Sequence, residues 1–329
     1  MKVGIYTRWQ RRDSTYAAIQ IAELLTRWQH EVTILTPTPK KSVVSNFWDN
    51  QVRYDSQVRF TEWASPLAVV IWMFWPPSVQ PEWAGKASKR AILVPDWADM
   101  QAVEAIGPLF WRIMAPTRRW ARMFADTGVV NVVPCPWSPM LPITLRTHVG
   151  PVRVYVPPGD RPIEGDDVLI IDVAEAMIEL DRSVEITISI DGHRGTTVKR
   201  LERLAKAKPR LTLIRPEDYQ RQIIRYTEHS LTLLPSLFES FGISALCSFH
   251  MGTPIISLDM PPLEEMASSR NSVLVEHHAD RLSLLEAALT LVEGPKLAQL
   301  FAGCPVGLER RRNEFESAWA SALAATGYR

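Results

Sequence analysis

Short runs rich in Val and Ile alternate with stretches of helical length along almost the whole chain, and the alternation starts afresh after a proline-rich break. That pattern is the signature of parallel sheets built from βαβ units: a strand buried on both faces reads as a continuous apolar run, and a helix crosses over to the next strand. In the first half it predicts strands over Lys2–Thr7, Glu31–Thr36, Ala68–Phe74, Ala91–Val94, Arg112–Ala115 and Val129–Val133. Between the first two, Ser14–Gln29 reads as a helix with Ile19, Ile21, Ala22, Leu24 and Leu25 on its apolar face and Ser14 or Thr15 as N-cap. Residues 134–151 hold five prolines and no helical period, the mark of a linker. Beyond it the alternation predicts strands Val152–Val156, Val184–Ile190, Leu211–Ile214, Ser230–Leu234 and Pro254–Leu258. The helices between and after them are Asp167–Leu180, Thr196–Lys206, Glu217–Thr227, one from about Phe241, a short one near Pro262, and Ala279–Val292. The expected class is α/β, two doubly wound domains in series that take their ligands at the carboxyl ends of the sheets.

A length of 329 residues, 46% hydrophobic and 22% charged with net charge +1, suits such a pair of domains and argues against disorder, a coiled coil or a collagen-like fibre. The average conceals an asymmetry: 11 of the 12 tryptophans lie in residues 1–150, leaving only Trp319 beyond. Charge divides at the same place, with 17 Lys and Arg against 11 Asp and Glu before residue 150 (net +6) and 20 against 25 after it (net −5). Cys135, Cys247 and Cys304 are an odd number at wide spacing, which supports neither a disulfide framework nor a zinc site and fits a cytoplasmic setting. The strand-like start Met1-Lys2-Val3-Gly4-Ile5-Tyr6-Thr7 carries no basic-then-apolar leader. The longest apolar run, Leu67–Trp75, is about half the ~20 residues a membrane-spanning helix needs.

The most informative stretch is Leu233-Leu234-Pro235-Ser236-Leu237-Phe238-Glu239-Ser240-Phe241-Gly242-Ile243, followed by Gly252-Thr253-Pro254-Ile255-Ile256. A buried strand ends at Pro235-Ser236, a polar loop carries one carboxylate, and a helix opens at Phe241-Gly242. Free N–H groups and the positive dipole end at a helix start make an anion site, and Gly242 lets a ligand approach closely. Glu239 repels phosphate but accepts hydrogen bonds from sugar hydroxyls. The same residues would equally serve as a helix cap and a tight turn.

In order and spacing, Pro235-Ser236, Glu239-Ser240-Phe241-Gly242 and Gly252-Thr253-Pro254-Ile255-Ile256 resemble the donor-site signature of GT-B-fold retaining glycosyltransferases of the group 1, family 4-like type. The resemblance extends outward. Glu217-Asp218-Tyr219 through Ser230 is similar to the helix and strand before the signature, and Glu265 through Asn271-Ser272-Val273-Leu274-Val275 to the Glu and strand after it. His30-Glu31-Val32 resembles the family's entry to its second strand, and Ala115-Pro116-Thr117 to Val132-Val133-Pro134 the helix and strand before its linker. It implies the GT-B fold, two Rossmann-like doubly wound domains facing each other across a cleft. The implied divisions are an acceptor-binding domain over 1–145, a nucleotide-sugar donor domain over 152–305, and a terminal segment 306–329 whose helix, with Phe315, Trp319 and Leu323, returns to the first domain.

The resemblance also implies site residues. Glu239 binds hydroxyls of the transferred sugar, while Ser240, Phe241, Gly242 and Ile243 hold the sugar and diphosphate. No metal or other cofactor is implied, the nucleotide-diphosphate sugar being a co-substrate, so cationic side chains must help the helix dipole hold the departing diphosphate. Arg161 stands where the family has its Arg, but Glu164, Asp166 and Asp167 surround the position of its Lys, leaving Arg194 or Lys199 as substitutes. Where the family places a second Glu for the ribose, this chain has Cys247, a poor acceptor for two hydroxyls.

The first domain then receives the acceptor on loops after its strands: Arg8, Arg11 and Arg12 in one, Trp72 and Trp75 in the next, Asp96 and Trp97 in a third. The arginines suit an anionic group or stand as solvated charge. The three Trp offer flat faces to a sugar ring or base, and Asp96 is the candidate to orient or deprotonate the acceptor hydroxyl. Trp28 and Trp120, on amphipathic helices, read as core. His277-His278 with Asp280 is a weak metal pattern, since neighbouring side chains on a strand point apart. The function expected is sugar transfer to a glycan or lipid-linked glycan, with peripheral membrane contact open to a basic domain. The alternatives are a phage-type DNA glycosyltransferase acting on a hydroxylated base, and a binding module that has lost catalysis.

Overall fold

A computed structural model describes residues 1–7, 13–36, 52–54, 60–64, 66–73, 90–95, 107–147, 150–158, 166–179, 184–191, 193, 195–215, 217–235, 241–259, 263–276, 283, 285–286, 288, 290 and 295–324. The chain divides into two compact units, Met1–Met140 with Arg310–Arg329, and Leu141–Glu309.

The first unit is a parallel sheet in the order β3-β2-β1-β4-β5-β6-β7. Its strands are β1 (Lys2–Tyr6), β2 (Glu31–Thr36), β3 (Val52–Tyr54), β4 (Val69–Met73), β5 (Ala91–Val94), β6 (Arg112–Ala115) and β7 (Val132–Pro134). All five residues of β4 are buried, which is why Val69-Val70-Ile71-Trp72-Met73 shows no polar alternation. Helix α1 (Asp13–Arg27) follows β1 and buries Ile19, Ile21, Leu24 and Leu25; because it starts at Asp13, Ser14 and Thr15 lie in its first turn rather than at its cap. A short α2 (Phe60–Ala64) precedes β4, and α3 (Arg118–Asp126) follows β6. Thr117 caps α3 by accepting from the Trp120 N–H at 3.1 Å. Before β6 and β7, the Asn131 amide donates to the carbonyls of Gly107, at 3.2 Å, and Phe110, tying the two strand starts together.

Aromatic rings fill this unit. Trp72 packs at 5.1 Å from Tyr6 and edge-on at 6.1 Å from Phe110, and Trp120 packs edge-on against Phe124 at 6.0 Å. From Arg310 onward the terminal helix α9 (Leu308–Ala324) groups with the unit. There Phe315 meets Trp137 at 5.1 Å and Trp319 at 6.4 Å, and the Arg311 Nε donates to the Trp137 carbonyl at 2.6 Å. The indole of Trp137 donates to Gln20, a buried amide on α1. Two ion pairs at the edge, Arg118–Glu314 at 2.9 Å and Arg27–Glu316 at 3.3 Å, complete the seat of α9.

The second unit is a parallel sheet in the order β10-β9-β8-β11-β12-β13. It runs β8 (Arg153–Val156), α4 (Asp166–Glu179), β9 (Glu185–Ser189), α5 (Gly195–Ala207), β10 (Leu211–Ile214), α6 (Tyr219–Glu228), β11 (Leu231–Leu234), α7 (Ile243–His250), β12 (Ile255–Leu258) and β13 (Ser272–Val275), then α8 (Pro295–Gly303). Its core is mainly aliphatic: Val154, Ile186, Ile188, Leu201, Leu231, Leu233, Ile255 and Ile256 are all at most 2% exposed, with Phe249 and Phe301 packed among them.

The proline-rich segment is not a free linker throughout. Its described residues from Leu141 onward belong to the second unit, where Thr144 N–H donates to the His250 carbonyl at 2.7 Å and Arg146 reaches the carbonyls of Tyr226 and His229. Periodicity could not show this, since the attachment uses backbone groups and one side chain.

Candidate functional site

In both sheets the strand order reverses beside the unit's first strand, between β1 and β4 and between β8 and β11. At such a reversal the connections leave toward opposite faces and open a crevice at the carboxyl ends of the strands. In the second unit β8 and β11 lie in register, Leu231 with Val154 and Thr232 with Tyr155, so the segments that follow Val156 and Leu234 leave from neighbouring strands. Arg161 lies on the first of these segments, Glu239 and Ser240 on the second, and Arg194 follows β9; all four are outside the described residues.

The described part of the site is the start of α7. Gly242 is its N-cap with φ 66° and ψ 31°, a left-handed conformation that disfavours a side chain by roughly 1–2 kcal/mol. Among the described residues no side chain caps the helix, and no carboxylate stands in its first turn, so no fixed negative charge of the helix itself competes there. By helix geometry the first N–H groups point out along the axis, at the positive end of the dipole. Phe241 is 0% and Ile243 3% exposed, so both anchor the turn in the core and offer a ligand only their backbone. Ser244, half-buried, is the one residue of α7 not enclosed, and its hydroxyl stands in the first turn; its identity gave no signal in the sequence.

Two residues assigned to ligands are corrected. Cys247 is 2% exposed inside a helix packed on β11, β12 and α6, so its thiol presents no surface to a ribose at that position. Trp72 is 0% exposed, its ring taken up by Tyr6 and Phe110, because β4 is buried on both faces. Trp120 lies in the core at 1% exposure, whereas Trp28 is half-buried beside His30. Arg8, Arg11 and Arg12, which follow β1, Trp75, which follows β4, and Asp96 and Trp97, which follow β5, lie outside the described residues. So do His277, His278 and Asp280; among the described residues no cluster of three or more His, Cys, Asp or Glu side chains could hold a metal ion. All three cysteines are buried, and burial pushes the Cys135 and Cys304 thiols well above their ordinary range.

No protein-family model matches the chain, and no curated protein does. Solved structures match over nearly its full length. The pneumococcal O-GlcNAc transferase GtfA, in complex with UDP and GlcNAc, superposes with a TM-score of 0.77 at 11% identity, covering 100% of this chain and 99% of that one. Anabaena HepE, in complex with UDP-glucose, gives 0.74 at 11% identity over 99% and 100%. A putative UDP-N-acetylglucosamine 2-epimerase from Listeria monocytogenes gives 0.66 at 13% identity over 99% and 97%. The chain has the GT-B fold, with two Rossmann-like doubly wound domains. An epimerase among its likenesses shows that the fold by itself does not select transfer.

Proposed function

We propose that the protein is a retaining glycosyltransferase that moves a sugar from a nucleotide-diphosphate donor to a hydroxyl of a glycan or lipid-linked glycan. The observation that carries this reading is the left-handed Gly242 opening α7 directly after Glu239-Ser240-Phe241, beside the strand-order reversal of the second unit. The likeness to an O-GlcNAc transferase that holds UDP and GlcNAc, and to HepE, which holds UDP-glucose, supports it.

In this reading the diphosphate meets the N–H groups at the start of α7, with Arg161 and Arg194 supplying positive charge. Glu239 accepts hydrogen bonds from hydroxyls of the transferred sugar and fixes its orientation. The bond between the anomeric carbon and the diphosphate oxygen breaks, its electron pair leaving with the phosphate, and the acceptor oxygen bonds to the same face. Asp96 orients the acceptor hydroxyl and takes its proton as the new bond forms. The helix dipole and the arginines stabilise negative charge on the leaving group, so no metal is needed in the step.

Hydrolysis and transfer from a panel of nucleotide sugars, in wild type and Glu239→Ala, test the proposal. We expect one donor to be turned over and the substitution to reduce turnover by about a hundredfold or more. Absence of binding and turnover with every donor would overturn it.

A further inference from the structure

The motif Gly252-Thr253-Pro254 reads in the sequence as part of a donor signature, yet its residues sit at the opposite end of α7 from Gly242. There they receive a strap formed by residues 141–146. Thr144 N–H donates to the His250 carbonyl at 2.7 Å, and the His250 Nδ1 lies 3.2 Å from the Leu141 carbonyl oxygen. Gly252 has φ +71°, and a Cβ on it would come within 2.5 Å of the Thr144 carbonyl oxygen, so only glycine lets the strap pass. Arg146 donates to the Thr253 hydroxyl at 2.7 Å and to the carbonyls of Tyr226 and His229 at 3.0 and 3.1 Å. Its guanidinium also lies 5.7 Å from the centre of the Phe301 ring on α8. One side chain of the strap thus joins the carboxyl end of α6, the turn after α7, and α8.

From that turn a buried chain of hydrogen bonds continues into the sheet. The Ser248 hydroxyl donates to the Thr253 carbonyl at 2.7 Å and lies 2.7 Å from the Thr232 hydroxyl on β11. Seven of the eight residues of α7 are buried, so its position along its own axis is set by these end contacts and by packing on β11, β12 and α6.

We infer that the strap is a brace at the back of α7, and that Arg146 and Gly252 are positioning residues for the ligand site at its front. This rests on the proposal that the α7 N-terminus holds the donor diphosphate. A helix displaced by even part of an ångström along its axis carries every first-turn N–H group with it.

Amide hydrogen exchange and UDP binding test the inference in the full chain. In Gly252→Ala, and separately in Arg146→Met, exchange at residues 246–250, whose N–H groups are bonded within α7, should rise by about tenfold relative to wild type while α5 keeps its protection. UDP should bind about tenfold more weakly, within the usual range of coupling between sites. Leu201→Ala, a core change on α5 of the same unit, serves as the control for general destabilisation: it should raise exchange across the unit alike and leave UDP affinity unchanged. Unchanged exchange at residues 246–250 in both strap variants, or a rise equal across the whole unit, would overturn the brace. Faster exchange with unaltered UDP affinity would overturn the positioning role. Failure of UDP and every other donor nucleotide to bind wild type would sink the proposed function instead, with exchange still deciding the brace.

Discussion

The two units share one winding and differ in what fills it. Trp72, Trp120, Trp137 and Trp319, the four fully buried tryptophans among the described residues, all belong to the first unit, while the second packs Val, Ile and Leu. A tryptophan-rich half suggests a surface built for stacking on ligands, yet these four rings stack on one another's neighbours. Trp137 and Trp319 sandwich Phe315, and Trp72 lies between Tyr6 and Phe110. The second unit buries smaller rings, Tyr155, Phe241 and Phe249, among its aliphatic side chains, and no tryptophan among its described residues. What the first unit gains is a seat for α9, a helix that arrives from the far end of the sequence.

The sharpest way to break this contrast is Trp319→Ala. Removing a 0% exposed indole from the Trp137–Phe315 cluster should cost about 3–5 kcal/mol, and hydrogen exchange should show the loss in α1 and α9 while the core of the second unit is spared. A cost below about 1 kcal/mol would mean that α9 is an accessory rather than part of the core. Thr253→Val asks for the corresponding weak point of the second unit. It keeps shape but removes the hydroxyl that accepts from Arg146 and donates to the Tyr226 carbonyl at 2.7 Å, so urea denaturation should register a loss of about 1–3 kcal/mol.

The legibility of the two units differs in the same way. Strands β2, β5, β6 and β10 stand at the boundaries their apolar runs predict, because burial on both faces writes the strand into composition. The three-residue β3, with Arg53 at its centre, carries no such run. At the site, Gly242 was readable because a left-handed helix start demands glycine. Trp72 was misread because a residue near the carboxyl end of a strand can face the core or the crevice, and only the packing of Phe110 decides. The strap was unreadable for another reason. Its hold on α7 comes from two backbone atoms, one arginine and the missing Cβ of Gly252, none of which has a period.

A smaller effect ties the second unit to pH. His229, 6% exposed and stacked on Tyr155, donates through Nδ1 to the Arg225 carbonyl. Burial, first among the causes, holds its pKa below the ordinary 6.5, with Arg225 and Arg153 adding to the depression and the backbone bond and Glu228 opposing it. The unfolded chain therefore binds the proton more readily: the second unit keeps its stability above pH 6.5 and loses it as pH falls from there through the folded value. Urea midpoints taken between pH 7.5 and 5 should fall more steeply in wild type than in His229→Phe. Parallel curves would show that the histidine does not couple stability to pH.

The smallest expected difference lies between two ion pairs. Arg225 and Glu217 are only 20% and 19% exposed, and their hydrogen bond, with Glu228 adding to it, raises the Arg225 pKa above its usual range. Arg118 and Glu314 are 58% and 35% exposed, so water and salt screen them. Double-mutant cycles with alanine should give a coupling of about 1 kcal/mol for the pair in the second unit and below about 0.5 kcal/mol for the pair in the first. If the Arg118–Glu314 coupling were the larger, α9 would be held on the first unit by charge as much as by its aromatic rings. The stability cost of Trp319→Ala would then grow with added salt, whereas a seat made by packing leaves that cost unchanged.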